Sequence, residues 1–138
     1  MSLIKLYILC LLGHYLADFT LQGCLAQMKQ QQWWKDEIFK WNRTHHDNSP
    51  LDYENYKNDW ICALNTHSFY WSIVTFLPLF LTNASDNFII VVMLINWFVH
   101  SIVDHLKCNL HKINLRTDQT CHLIQILLTV IITKGLFQ

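Results

Sequence analysis

The sequence predicts an all-α fold: a compact bundle of four transmembrane helices, with an amphipathic interfacial helix between the first and second. Apolar residues make up 52% of the 138 positions and charged residues only 14%; a soluble domain usually carries about a quarter. The apolar residues gather in four runs, at about 3–22, 60–81, 88–107 and 122–137, and a bilayer crossing needs about 20 such residues. Only a helix satisfies its own backbone in lipid over a run of this length. The length suits one domain, so 1–138 reads as a single integral membrane unit with a polar insert at 23–58.

The first run, Leu3–Leu21, lacks a small-x-small cleavage site in good context and is read as a retained helix rather than a signal peptide. His14 and Asp18 are four residues apart, so they share one helical face, with Gln22 a further turn along it. The insert holds Trp33, Trp34, Ile38, Phe39 and Trp41 at roughly helical spacing, which fits a helix lying on the membrane with Lys29, Lys35 and Lys40 toward lipid headgroups. His45-His46-Asp47 resembles a metal motif, but adjacent side chains diverge on regular structure, and a solvated loop is expected there. Asn48-Ser49-Pro50 breaks any helix.

The second run, Trp60–Leu81, carries His67 and is expected to kink at Pro78. The short connection Thr82–Asn87 makes the second and third spans an antiparallel pair. The third, Phe88–Leu106, ends in His100-x3-Asp104 and Lys107. A basic loop, Lys107–Thr117, leads to a short fourth span, His122–Phe137, opened by Asp118, Gln119 and His122. Five cysteines without CxxC spacing point to reduced thiols. Zero net charge and no polybasic tail exclude nucleic acid as a partner. Six tryptophans, many near the ends of apolar runs, suit interfacial belts.

With four alternating spans, the loops 23–58 and 107–121 lie on one side and carry Lys29, Lys35, Lys40, Arg43, Lys57, Lys107, Lys112 and Arg116. Lys5 and Lys134 are on the other. The positive-inside rule makes both loops cytoplasmic. It also gathers His14, Asp18, His67, His100, Asp104, Asp118 and His122 into one polar layer drawn from all four spans. Ionisable residues within a membrane are costly and mark function by default.

Imidazole with carboxylate suits a divalent metal: zinc first, with iron or manganese as alternatives. All seven residues are candidate ligands. Asp118 or Asp104 is the candidate general base, with Lys107 and Arg116 at the rim for an anionic group. His45, His46, His105 and His111 are expected outside the cluster; His105 projects about 100° from Asp104 on an α-helix.

The motifs His14-x3-Asp18-Phe19-x2-Gln22, His67, His100-x3-Asp104-x2-Lys107 and Asp118-Gln119-x2-His122 resemble those of domain-of-unknown-function family 3307. That family comprises small membrane proteins of bacteria and their phages. The resemblance covers the four apolar segments and skips most of 23–58. It implies a membrane location, a bacterial inner membrane, and the polar layer as the defining feature, and it supplies no reaction. In site type alone, the layer is also similar to membrane-embedded metal hydrolases.

Three functions compete. The first is a metal-dependent hydrolase acting on a lipid or other amphiphile from the cytoplasmic leaflet. The second is a non-enzymatic phage or bacterial protein that binds a host membrane protein, with the His/Asp cluster structural and the tryptophan-rich insert as contact surface. The third is a metal-ion or proton carrier, which the apolar outer halves of the spans oppose. Membrane lipids are partners in each, and a homodimer is compatible with so small a bundle.

Overall fold

The computed structural model describes residues 1–45 and 50–137. Its elements are helical: α1 (Leu3–Tyr15) continued by a π turn (Leu16–Thr20), α2 (Leu25–Met28), α3 (Gln31–Thr44), a 3-10 turn (Tyr53–Asn55), α4 (Asp59–Phe76) continued by a 3-10 turn (Leu77–Leu81), α5 (Asp86–Cys108) and α6 (Leu115–Leu136). No strand occurs among the described residues.

Side-chain caps set several starts. Ser2 accepts from Lys5 N–H, Ser85 from Phe88 N–H and Asn114 from Thr117 N–H. Each satisfies an amide that the first helical turn leaves without a partner.

α4 packs against α5 and α1, and α6 packs against α1 and α5. The core holds Leu6, Cys10, Ala17, Trp71, Phe76, Leu79, Ile89, Ile126 and Val130. Gly13 lets α1 approach α4 closely, for a Cβ there would lie 2.5 Å from the Val74 carbonyl oxygen and 2.9 Å from Thr75 Cα. Small residues at such crossings are how membrane helices gain contact. Ser72 Oγ donates to Met93 O at 2.6 Å and Trp97 Nε1 to Asn65 O at 3.1 Å, tying α4 to α5. Gln125 Nε2 donates to Asn96 Oδ1 at 2.8 Å, tying α6 to α5.

The outer surface is apolar. Ile4, Ile8 and Leu12 on α1, Ile95 and Phe98 on α5, and Ile124, Leu128 and Ile132 on α6 are all exposed. Faces of that extent need a lipid or protein environment. Three helical stretches among the described residues are long and apolar enough to cross a membrane: Leu3–Thr20, Asp86–Cys108 and Leu115–Leu136.

Three of the four expected spans are among these stretches. α4 is not among the three, because Asn65, His67, Ser68, Ser72 and Thr75 lower its hydropathy. The last four of these are buried, so much of its polarity faces the bundle. The expected span to Leu81 is also interrupted. Pro78 does not kink a continuous helix; the α-helix ends at Phe76 and a 3-10 turn follows, as proline's missing N–H favours. The sixth helix is not short. It begins at Leu115 and runs 22 residues, because Asn114 caps a turn whose polar residues resembled a loop. The basic loop contracts to 109–114.

The insert forms α3, as expected of an amphipathic helix, with Ile38 buried and Phe39 and Trp41 exposed. Lys35 and Lys40 are exposed, whereas Lys29 is buried rather than turned to headgroups. His45 is exposed and stacks on Trp41, with ring centroids 3.8 Å apart. His46, Asp47, Asn48 and Ser49 lie outside the described residues.

Candidate metal centre

Each helix of the bundle brings polar side chains to one buried layer. Asp18 lies in the π turn after α1, closed by Leu21 N–H donating to Leu16 O at 2.8 Å. A π turn holds more residues than an α turn, so Asp18 is re-aimed relative to His14; such turns recur at functional sites. The Gln22 amide caps the Asp18 carbonyl. α4 supplies His67, α5 supplies His100, Asp104 and Lys107, and α6 supplies Asp118, Gln119 and His122. The four-residue spacings hold on α5 and α6: His100 Nε2 is 3.8 Å from Asp104 Oδ2, and His122 Nε2 is 3.4 Å from Asp118 Oδ1.

All seven expected residues are buried, from 0% to 4% exposed, and six of them fall into three overlapping groups that could hold a metal. These are Asp18 with His67 and His100, His100 with Asp104 and His122, and Asp18 with Asp118 and His122. Within each group the candidate ligand atoms lie within 4.8 Å of one another. His67 is the hub. Its Nε2 is 3.3 Å from Asp18 Oδ1, 3.4 Å from Asp104 Oδ2 and 3.4 Å from His100 Nε2. The His100 ring stacks on Trp71, at 4.0 Å between centroids, and on His122, at 4.1 Å.

His14, expected among the ligands, is outside these groups. Trp71 Nε1 donates to His14 Nδ1 at 2.8 Å. An indole only donates, so Nδ1 must accept and the ring proton sits on Nε2. That N–H faces Gln119 Oε1 at 3.1 Å. Both ring nitrogens are hydrogen-bonded. Gln119 Nε2 in turn donates to Asp18 Oδ2 at 2.8 Å and Asp118 Oδ2 at 3.0 Å.

Lys107 is not a free rim charge either. It is inside the layer and bridges two carboxylates, 3.0 Å from Asp104 Oδ1 and 2.7 Å from Asp118 Oδ2. Arg116 is exposed. His105 stacks on Trp60 with centroids 5.1 Å apart, and His111 is exposed in a left-handed turn with φ 51°.

Three cluster members went unassigned in the sequence. Lys29 Nζ lies 2.5 Å from Asp104 Oδ2. Trp71 shares the face of His67 one turn on, and that spacing was the available signal. Gln119 adjoins Asp118 and was placed in the layer without a role.

The charges leave a deficit. Asp18, Asp104 and Asp118 face two ammonium groups, Lys29 and Lys107, so with neutral imidazoles the layer is one unit negative. Buried charge needs compensation. His122 Nε2 and Asp118 Oδ1 are buried and without hydrogen-bond partners. Orphaned buried acceptors and ring nitrogens of this kind fit a cation site.

A 360 Å³ groove is lined by Leu25, Met28, Trp34, Asp59, Cys62, Ala63 and Thr66. Met28 and Thr66 each precede a cluster member, Lys29 and His67.

No protein-family model, curated protein or solved structure matches the chain.

Proposed function

We propose that the chain is an integral membrane protein built around a divalent cation, and that this centre is hydrolytic toward a lipid or other amphiphile. The observation that carries the reading is the convergence of six buried imidazole and carboxylate side chains into three overlapping groups of possible ligands, among them His122 Nε2 and Asp118 Oδ1, 3.4 Å apart and making no hydrogen bond. A cation between imidazole and carboxylate gives both atoms a partner. Ligands drawn from His67, His100, His122, Asp18, Asp104 and Asp118 would hold it, in one of three overlapping groups. This donor set suits zinc first, then iron or manganese.

When bound, such an ion supplies Lewis acidity and lowers the pKa of a water it carries. The chain's own residues divide the remaining work. Asp118 or Asp104, whichever is not spent on the ion, is the general base. Lys107 holds both carboxylates in register. Gln119, fixed by His14, orients Asp18 and Asp118. The apolar exterior favours an amphiphile as substrate, because a bilayer delivers such molecules to a buried layer.

We read α4 as the fourth crossing. Phe69, Tyr70 and Ile73 point outward while His67, Ser68, Ser72 and Thr75 are buried. Lys35, Lys40, Arg43 and Lys57 of the insert, with Lys112 before α6 and Arg116 in its first turn, support a cytoplasmic location for that side, which Cys108 labelling from each side of a bacterial inner membrane would test. The motif resemblance to family 3307 is consistent with this placement.

One observation favours a second reading. Two lysines already compensate most of the buried charge, as in a hydrogen-bonded structural core. Trp33, Trp34 and Trp41 would then form the contact to a host membrane protein. The carrier reading loses support, because Trp71, Phe76, Leu79, Ile126 and Val130 fill the core.

Elemental analysis of the protein purified in detergent, with a turnover assay on phospholipids, separates these functions. Near-stoichiometric metal with turnover supports the hydrolase. Metal-free protein with full biological effect rejects it.

A further inference from the structure

The insert reaches the buried layer through Lys29, which follows α2. Its side chain is 5% exposed and its Nζ lies 2.5 Å from Asp104 Oδ2. The same oxygen faces His67 Nε2 at 3.4 Å and His100 Nε2 at 3.8 Å. Lys107 takes the other Asp104 oxygen at 3.0 Å. While both lysines are in place, each Asp104 oxygen already faces an ammonium.

An ammonium and a metal ion at one oxygen repel each other, and burial weakens the screening that would relieve them. Charge counting leads to the same exclusion. With Lys29 removed, three carboxylates and Lys107 leave two negative units, which one dication cancels. A dication added beside Lys29 leaves the layer one unit positive.

We propose that Lys29 and a divalent cation compete for Asp104, so that loading the ion expels Lys29, displaces α2 and opens the neighbouring groove toward the cluster. The proposal rests on the metal reading of this centre and adds an entry mechanism to it.

The attachment of α2 suits a segment that moves. It is only four residues long. Asn109, at the end of α5, clasps the joint between α2 and α3: its Nδ2 donates to Lys29 O at 3.0 Å, and its Oδ1 accepts from Gln31 N–H at 2.7 Å. Trp34 Nε1 adds a bond to Met28 O at 2.7 Å. Each of these acceptors or donors can be met by water once the segment lifts, so release strands no backbone group. Leu25 and Met28 of the groove lining belong to the same segment, and Thr66, also in the lining, is the residue before His67.

Lysine footprinting tests this directly. The detergent-purified full chain is stripped with a chelator, titrated with zinc and treated with an amine-acylating ester, and modification of Lys29 and of exposed Lys35 is read by peptide mass. In the metal-free protein Lys29 should react at least about tenfold more slowly than Lys35, as expected of an amine shielded by a local opening equilibrium. The protection should disappear as zinc saturates. Lys29→Gln should bind zinc about tenfold more tightly, within the usual range of coupling between competing ligands. Asn109→Ala releases the clasp while keeping the charge, and should raise Lys29 labelling in metal-free protein, which retains the test should Lys29→Gln fail to fold. Zinc bound at full stoichiometry with Lys29 still protected overturns the competition and leaves the metal centre standing. Zinc bound by neither the parent nor Lys29→Gln overturns both.

Discussion

The indole N–H of Trp71 donates to Nδ1 of His14 at 2.8 Å, in a layer where both side chains are fully buried. This bond assigns the His14 tautomer and distinguishes His14 from the three histidines that face the carboxylates. His14→Ala should therefore retain metal, with affinity lowered about 10–100-fold as for loss of an outer-layer partner. His100→Ala and His122→Ala should lose it. Zinc content after dialysis against a weak chelator distinguishes them, and equal loss in all three would place His14 among the ligands.

Trp71→Phe keeps much of the aromatic packing against His100 but removes the donor to His14. An unpaired buried acceptor costs about 1–3 kcal/mol. The variant should unfold at a lower temperature in detergent while keeping its helical content. An unchanged melting temperature would show that His14 Nδ1 finds another donor.

Much of this layer was legible because helical spacing is a strong constraint. His100 with Asp104 and Asp118 with His122 each sit on one helix and face the same interior. His14 and Asp18 have the same spacing, but a π turn intervenes, so they meet through Gln119 instead of each other. Nothing in the sequence marks that turn. Lys29 was hidden for a different reason. It follows a helix of four residues in a polar insert, too short to show a period, and its partner Asp104 is 75 residues away. For α4 the composition is ambiguous, since hydropathy cannot tell a polar face turned to other helices from one turned to water.

Lys107 was expected at the rim, where its removal would affect only substrate handling. Its position between Asp104 and Asp118 predicts more. Lys107→Met leaves two buried carboxylates short of a cation, and breaking a buried ion pair in this way costs about 3–5 kcal/mol. The metal-free variant should be strongly destabilised, and zinc should restore much of the loss by binding the folded state. Denaturant unfolding in micelles, with and without zinc, measures both effects. A variant as stable as the parent without metal would show the bridge contributes little.

Gly13 tests the packing of α1 on α4. Alanine favours an isolated helix over glycine by about 1 kcal/mol, so Gly13→Ala should stabilise if space allows. The added Cβ would instead lie 2.5 Å from a backbone oxygen of Val74. Overpacking of this kind costs about 1–3 kcal/mol, so the sign reverses. Gly135, where a Cβ meets nothing within 4 Å, is the control: Gly135→Ala should be neutral or stabilising. Thermal unfolding of both variants in one detergent decides, and a stabilised Gly13→Ala would contradict the α1–α4 contact.

Asp118→Asn separates a base from a scaffold. Asp118 Oδ2 accepts from Lys107 at 2.7 Å and from Gln119 at 3.0 Å, while Oδ1 lies 3.4 Å from His122 Nε2. Asparagine preserves shape and presents one oxygen, so it can satisfy either side but not both, and it cannot take a proton. If Asp118 is the general base, the variant should fold, keep zinc and lose turnover by about 10²–10⁴-fold. If Asp118 is a ligand, zinc affinity should fall together with turnover. Measuring metal content and turnover on the same preparation distinguishes the two, and Asp104→Asn run beside it identifies which carboxylate the ion takes. A zinc-loaded Asp118→Asn protein with full turnover would remove Asp118 from the chemistry and leave it holding Lys107 in place.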